Sequence, residues 1–182
     1  MAAPGPRAPG VGPPGETAEH GRVALVDLEG AERERAVPVI RDAFVGIYRW
    51  HAKRQLREVP WVRGVVQDEE VVGVALLDLL APEVGYVYYV AVLTAHRRHG
   101  LGAVLLDDAI ARYRGRTVEV VYAAAQSDNA ASLRLFESRG FREVARKETG
   151  WQDGGLGAWG LRSRMRLVPG ERLLGLRLRP RP

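Results

Sequence analysis

The residues best placed to do chemistry lie in Val87–Leu106, which reads VYYVAVLTAHRRHGLGAVLL. An apolar, β-rich run ends at Leu93, and the basic turn His96-Arg97-Arg98-His99 follows. Gly100 and Gly102 come next, and an apolar helical pattern begins. The first N–H groups of a helix have no partner within it and carry partial positive charge. Glycine lets an anion approach such a backbone because no Cβ stands in the way. This order of residues therefore predicts an anion site, and its length suits a diphosphate. A P-loop requires G-x-x-x-x-G-K-[ST], and both the spacing and the lysine are missing. A dinucleotide loop requires G-x-G-x-x-G, but the third position here is Leu105.

A second block, Asn129–Phe141, reads NAASLRLFESRGF. Asp128 or Asn129 can cap a helix start by accepting a backbone N–H. Leu133, Leu135 and Phe136 give that helix an apolar face, and Gly140 suits the left-handed residue that ends it. Asn129, Ser132 and Phe136 share one side. A plain amphipathic helix would explain most of this. It would not explain why the block follows the glycine turn by the length of one helix and one strand.

Together the two blocks resemble the GCN5-related N-acetyltransferase (GNAT) family. Arg97, Gly100 and Gly102 match its R-x-x-G-x-G acyl-CoA pyrophosphate loop. Asn129, Ser132, Phe136, Gly140 and Phe141 match N-x-x-[AS]-x-x-x-[YF]-x-x-x-G-[FY]. The resemblance runs from about Val23 to Val168 and is sharpest between Tyr86 and Phe141. It implies an α/β fold built on a mixed, twisted sheet flanked by helices. Two strands of that sheet, here Tyr86–Leu93 and Thr117–Ala125, splay apart to hold the thioester end of acetyl-CoA.

The same resemblance implies transfer of the acetyl group to a primary amine of a small molecule or a protein. No metal and no covalent nucleophile is expected. Main-chain groups of Val90, Ala91 and Val92 would pair with the pantetheine and the thioester carbonyl. N–H groups of Arg98, His99, Gly100, Leu101, Gly102 and Ala103 would surround the pyrophosphate, with Arg97 or Arg98 adding a charge-assisted contact. Asn129 would touch the pantetheine arm, with Ser132 and Phe136 beside it. Phe136 is a departure, because many relatives carry a tyrosine there that protonates the leaving thiolate. Water, Tyr88, Tyr89 or Tyr122 would then supply the proton, or coenzyme A would leave as the thiolate. Tyr86, where some relatives have a glutamate, and the adjacent Glu83 are the candidate catalytic residues. His51 and Glu58, near the end of a long helix, and a water relay are alternatives. Trp50, Trp61, Trp151 and Trp159 are candidate walls of the acceptor pocket.

Composition narrows the classes. The chain has 182 residues, 46% of them hydrophobic, which suits one ordinary domain with a sizeable core. It contains no cysteine, which excludes disulfides, thiolate-bound zinc and a catalytic thiol. His96 and His99 lack further spaced ligands, so a metal site is not expected. No apolar run reaches the roughly 18 residues of a membrane span, and the N-terminus lacks a secretory apolar core. A cytoplasmic enzyme is expected. The net charge is +5 and only Lys53 and Lys147 are lysines. The arginines are spread along the chain and not clustered with aromatics, which argues against a nucleic-acid partner. Two other classes stay open: a non-catalytic acyl-CoA-binding module, which Phe136 would favour, and a basic RNA-associated protein.

The elements that must position these residues follow from periodicity. Residues 1–21 are rich in Pro, Gly and Ala and read as a disordered tail ahead of a single domain over 22–182. Val23–Leu28 reads as a strand, and Glu32–Arg57 as a helical region with Pro38 in its first turn and a bend near Gly46. Trp61–Val66, Val71–Leu80 and Tyr86–Leu93 read as three antiparallel strands on short turns. A helix over Gly102–Arg114, a strand over Thr117–Ala125, a helix over Asn129–Arg139 and a strand over Phe141–Lys147 follow. After a loop at Thr149–Gly160 come strands at Leu161–Val168 and Arg172–Leu178. The last strand has no counterpart in the expected order and could serve as an edge strand or a dimer element, so a homodimer stays open.

Overall fold

The computed structural model describes residues 23–144, 165 and 167–179. The expected tail, the loop at 149–160 with Trp151 and Trp159, and most of the expected strand 161–168 lie outside the described residues. Strand β1 (Ala24–Asp27) leads through a 3-10 turn (Gly30–Ala36) into α1 (Val37–Ala43). Phe44 and Val45 are extended, which breaks the long helical region directly before Gly46, and α2 (Gly46–Glu58) resumes it. Strands β2 (Trp61–Gln67), β3 (Glu70–Ala81) and β4 (Val84–Val92) form an antiparallel meander. Helix α3 (Leu101–Arg114), β5 (Val120–Gln126), α4 (Ala130–Glu137), β6 (Arg142–Glu143) and β7 (Glu171–Arg177) complete the order.

The sheet order is β1-β2-β3-β4-β5-β7-β6. The terminal segment is thus no edge strand. Strand β7 inserts between β5 and β6 and pairs antiparallel with the whole of β5, from Val120↔Arg177 to Gln126↔Glu171.

Helices cover both faces. Leu101, Leu105, Leu106, Ala109, Ile110 and Tyr113 of α3 and Leu133 and Phe136 of α4 pack with Val87, Val121, Ala123 and Phe141. On the other face, Val39 and Ile40 of α1 and Ala52 and Leu56 of α2 pack against Val62, Val74, Leu76 and Ala91. Fully burying each large aliphatic here contributes about 1.5–3 kcal/mol. Arg63 on β2 bonds both oxygens of Asp108 at 2.7 and 3.0 Å and lies 3.0 Å from Asp27, whose carboxylate also takes Arg112. This network fixes α3 across β1 and β2.

Strands β4 and β5 are parallel and pair over four positions only, Val84↔Val120 to Val87↔Ala123. Tyr113 closes that paired end. Its hydroxyl lies 2.8 Å from the carbonyl of Tyr86 and 3.0 Å from that of Asp78, and its ring lies over Gly85. A Cβ at Gly85 would sit 2.8 Å from Tyr113 Cε1. Because the phenol is held at its far end, the ring cannot swing away. Gly85→Ala is therefore expected to destabilise the fold by about 1–3 kcal/mol, a fall of several degrees in thermal unfolding followed by circular dichroism. An unchanged midpoint would contradict this packing.

Candidate active site

Beyond Val87 the two central strands part. The register of β4 against β3 runs Leu77↔Val87 and then Leu76↔Tyr89, so Tyr88 is an extra residue in β4. Such a bulge bends its strand and increases the local twist, and here it carries the rest of β4 away from β5. It also brings Tyr88 and Tyr89 together against the α1/α2 side of the sheet. Tyr86 lies edge-on to Tyr88 at 4.7 Å between ring centroids, and Phe44 edge-on to Tyr89 at 4.9 Å.

Past the bulge, strand alternation fixes which backbone groups face the gap. Leu93 N–H donates to Val72 O at 2.9 Å, so the main chain at Leu93 and Ala91 turns toward β3. The main chain at Val90 and Val92 turns the opposite way, into the gap. Val92 O accepts from Arg97 Nε at 3.1 Å. Of the three main-chain partners expected for pantetheine, Val90 and Val92 thus face the gap. Ala91 does not, because the ladder with Val74 takes its polar groups.

The glycine turn sits at the open end of the gap. Gly100 is the N-cap of α3 with φ +79°, a conformation that favours glycine, and it has no side chain to cap the helix. The first helical bond joins Val104 N–H to Gly100 O at 3.0 Å. The N–H groups of Leu101, Gly102 and Ala103 therefore precede the first intrahelical donor. Arg98 holds φ +65°, a left-handed strain that costs a non-glycine residue about 1–2 kcal/mol. Arg98, His99 and Gly100 are exposed, whereas the Leu101 side chain anchors the helix in the core. Arg97 and Arg98 are both exposed, and Arg97 is tied back to Val92 O and to Asp42, 3.8 Å away.

Asp42, on α1, fastens this turn. Its carboxylate accepts from Thr94 N–H at 2.6 Å and Thr94 Oγ1 at 2.8 Å, and these bonds hold its pKa below the ordinary carboxylate range. A lowered carboxyl pKa means that the clasp is complete above about pH 4 and opens as pH falls through the lowered value.

Helix α4 supplies the other wall. Asn129 Oδ1 accepts from Ser132 N–H at 3.0 Å, the predicted cap. Gly140 has the predicted left-handed conformation, φ +86°. Asn129, Ser132 and Phe136 all line the gap, as their shared helical side requires. The Phe136 ring is buried edge-on against Phe141 and presents no proton.

Between these walls lies a cavity of about 240 Å³. Phe44, Val45, Tyr48 and His51 border it from the α1/α2 side, Tyr86, Tyr88, Tyr89 and Val90 from β4, Ala124–Gln126 from β5, and Glu171 from β7. The candidate catalytic residues fall in different places. Glu83 lies in the turn before β4, with its carbonyl taking Glu119 N–H at 2.8 Å, roughly 20 Å along the strand from Val90. It does not border the cavity. Tyr86 does, but its hydroxyl donates to Met165 O at 3.1 Å, and burial pushes its pKa well above the usual tyrosine value. Of the alternatives, His51 borders the cavity with Nδ1 2.7 Å from the Tyr89 hydroxyl, whereas Glu58 pairs with Arg54 outside it.

Tyr48 and Glu171 are the residues that sequence reasoning missed. Tyr48 donates to Glu171 Oε1 at 3.2 Å and accepts from Gln126 Nε2. Burial, then the Glu171 charge, pushes its pKa up to about 12. Glu171 Oε2 accepts from Val168 N–H at 2.8 Å. Tyr48 falls inside the helical region expected over Glu32–Arg57, and Glu171 just ahead of the strand expected at Arg172–Leu178; neither carries a local signal.

Comparison with known proteins gives the same architecture. The chain superposes on the ribosomal-protein-S18-alanine N-acetyltransferase of Escherichia coli with a TM-score of 0.66 at 19% identity, covering 88% of this chain and 97% of that one. A GNAT family acetyltransferase from Elizabethkingia anophelis, solved with acetyl-CoA bound, matches with a TM-score of 0.64 at 14% identity, covering 86% and 98%. In sequence, 76 residues are 38% identical to N-alpha-acetyltransferase 40 of Saccharomyces cerevisiae, a match spanning 38% of this chain and 26% of the yeast protein. Residues 24–141 match the acetyltransferase (GNAT) family. With that match extending over well more than half of its length, the chain belongs to the GNAT family of acetyltransferases.

Proposed function

We propose that this protein transfers the acetyl group of acetyl-CoA directly to a primary amine, and that the amine is the N-terminus of a polypeptide. The observation that carries the acetyl-CoA half is the parting of β4 and β5 in front of an α-helix N-terminus. The residues present fit that co-substrate. Main-chain donors of Val90 and Val92 face the gap, those of Leu101–Ala103 face its open end, and Arg98 adds a cation there. Asn129 and Ser132 border the space between. The polypeptide half draws on the names of the yeast relative, an N-alpha-acetyltransferase, and of the E. coli neighbour, a ribosomal-protein-S18-alanine N-acetyltransferase. The same reading puts the enzyme in the cytoplasm.

The thioester is an activated acyl donor, so the chain has three tasks: to position, to deprotonate and to stabilise developing charge. Val90 N–H, at the bend beyond the bulge, is the donor best placed to polarise a carbonyl lying along β4. The aromatic walls exclude water. Phe136 donates no proton, and the phenols of Tyr88 and Tyr89 border the cavity as the candidate proton sources. The competing reading is a module that binds acyl-CoA without turnover, and Phe136 is the residue that favours it.

Calorimetry with acetyl-CoA is expected to give saturable binding, and thiol release is expected to follow on adding peptides with free N-termini. Binding without release across such peptides would favour the module; no binding at millimolar acetyl-CoA would defeat both readings. Gly102 gives a sharper check. A Cβ there would meet only Leu135 Cδ2 at 3.5 Å and Val92 Cγ2 at 4.0 Å, which is ordinary contact. Gly102→Ala should therefore stabilise the free protein by about 0.4–1 kcal/mol while weakening acetyl-CoA binding. Unchanged affinity would mean that no phosphate approaches this backbone.

A further inference from the structure

Asp42 joins two walls of the site that lie 52 residues apart in the chain. It stands next to the end of α1, two residues before Phe44, which borders the cavity. Phe44 and Val45 form the extended step between α1 and α2, and Val45 is 73% exposed. At that step Phe44 N–H donates to Ile40 O at 3.2 Å, and Phe44 O accepts from Arg49 Nε at 2.7 Å. The other wall is the turn that carries β4 into α3. Thr94 roots it, and its exposed tip holds two left-handed residues, Arg98 and Gly100. One oxygen of Asp42, Oδ2, accepts from both Thr94 N–H and Thr94 Oγ1 and lies 3.8 Å from the Arg97 guanidinium. Bonds to an ionised acceptor are roughly twice as strong as neutral ones. A continuous run of contacts thus leads from the phosphate turn through Asp42 to the Phe44 ring, which lies edge-on to Tyr89 at 4.9 Å.

We propose that Asp42 is a positioning residue that carries the ordering of the phosphate turn, once coenzyme is bound, to the α1/α2 side of the cavity. The inference rests on the acetyl-transfer reading above and adds to it a link between the coenzyme site and the wall an acceptor meets. An exposed turn with left-handed residues opens locally at small cost. A diphosphate held by the N–H groups of Leu101, Gly102 and Ala103 fixes the turn, and a fixed turn keeps both Thr94 donors on Asp42. Asp42 then holds the end of α1, and with it the Phe44–Val45 step. Ordering completed by the first ligand is not repeated by the second, so the second binds more tightly. The coupling is reciprocal, and an acceptor seated against Phe44 tightens the hold on coenzyme by the same factor. Val39 and Ile40 anchor the body of α1 in the core, so the effect is confined to the end of the helix and the step beyond it. Asp42 itself does not border the cavity; it acts through Thr94 on one side and Phe44 on the other.

The test is amide hydrogen exchange on the full chain with and without saturating coenzyme A, its occupancy set by calorimetry on each protein. In the wild type, coenzyme A is expected to slow exchange at Leu101–Ala103. It should also slow Phe44 and Arg49, whose amides bond Ile40 O and Val45 O, by at least about fivefold. Asp42→Ala should keep the first effect and lose the second. Thr94→Val removes the hydroxyl bond and leaves the N–H bond, so it should show a smaller second effect, and it decides the matter if Asp42→Ala fails to fold. A purely structural Asp42 would alter exchange in the free protein but leave the coenzyme-dependent slowing at Phe44 and Arg49 as in the wild type. Coenzyme A that protects Leu101–Ala103 in the wild type without slowing Phe44 and Arg49 would overturn the inference. So would slowing at those two amides that is undiminished in either variant, because the coenzyme would then reach them by another route. A wild type in which coenzyme A protects none of Leu101–Ala103 would strike the acetyl-transfer reading itself, and this inference with it.

Discussion

The molecule depends on the point at which β4 stops pairing with β5. Four parallel pairs hold one end together, with Tyr113 bonded to β4 and β3 beside it, and one surplus residue, Tyr88, turns the other end away. Backbone polar groups taken out of a ladder need other partners. At Val90 and Val92 those groups point into the gap, where an extended, amide-bearing ligand can complete the pairing that β5 abandons. The bulge therefore creates the space and supplies the donors that line it. The same extra residue moves Tyr88 and Tyr89 onto one side and so builds the aromatic wall.

The two faces of the sheet divide the work. On the α3/α4 face, main-chain donors and glycine dominate, as suits a large polyanion. On the α1/α2 face, the aromatic rings of Phe44, Tyr88 and Tyr89 dominate. Asp42 links the two, since it ends α1 beside Phe44 of the cavity and bonds the Thr94 turn that leads into the phosphate loop. Each face is also anchored independently, the first by the Arg63–Asp108–Asp27 network and the second by the packing of Val39, Ile40 and Leu56.

What could be read in the sequence was local. The glycine turn before α3, a cap at Asp128 or Asn129 and the left-handed Gly140 are each decided by a few neighbouring residues; the structure has the turn and Gly140 in those places and gives the cap to Asn129. The parts that could not be read are set by partners distant in the chain. A bulge is defined by what lies opposite, so nothing around Tyr88 announces it. The inward main chain of Ala91 depends on its register with Val74. The interior place of β7 depends on pairing with a strand some fifty residues earlier, and Glu171 reaches the cavity only through that pairing. Glu83 lies away from the cavity for the complementary reason: it is close to Tyr86 in sequence, but a strand separates its ends quickly, and Glu83 lies at the closed one.

The central claim is that the main chain exposed by the parting strands grips acetyl-CoA. Amide hydrogen exchange resolved to single residues, with and without acetyl-CoA, tests it most directly. The account predicts new protection at Val90 and Val92 and at Leu101, Gly102 and Ala103, with little change at Val84–Val87, which the ladder to β5 already holds. Saturating acetyl-CoA that left those five amides exchanging as before would contradict it.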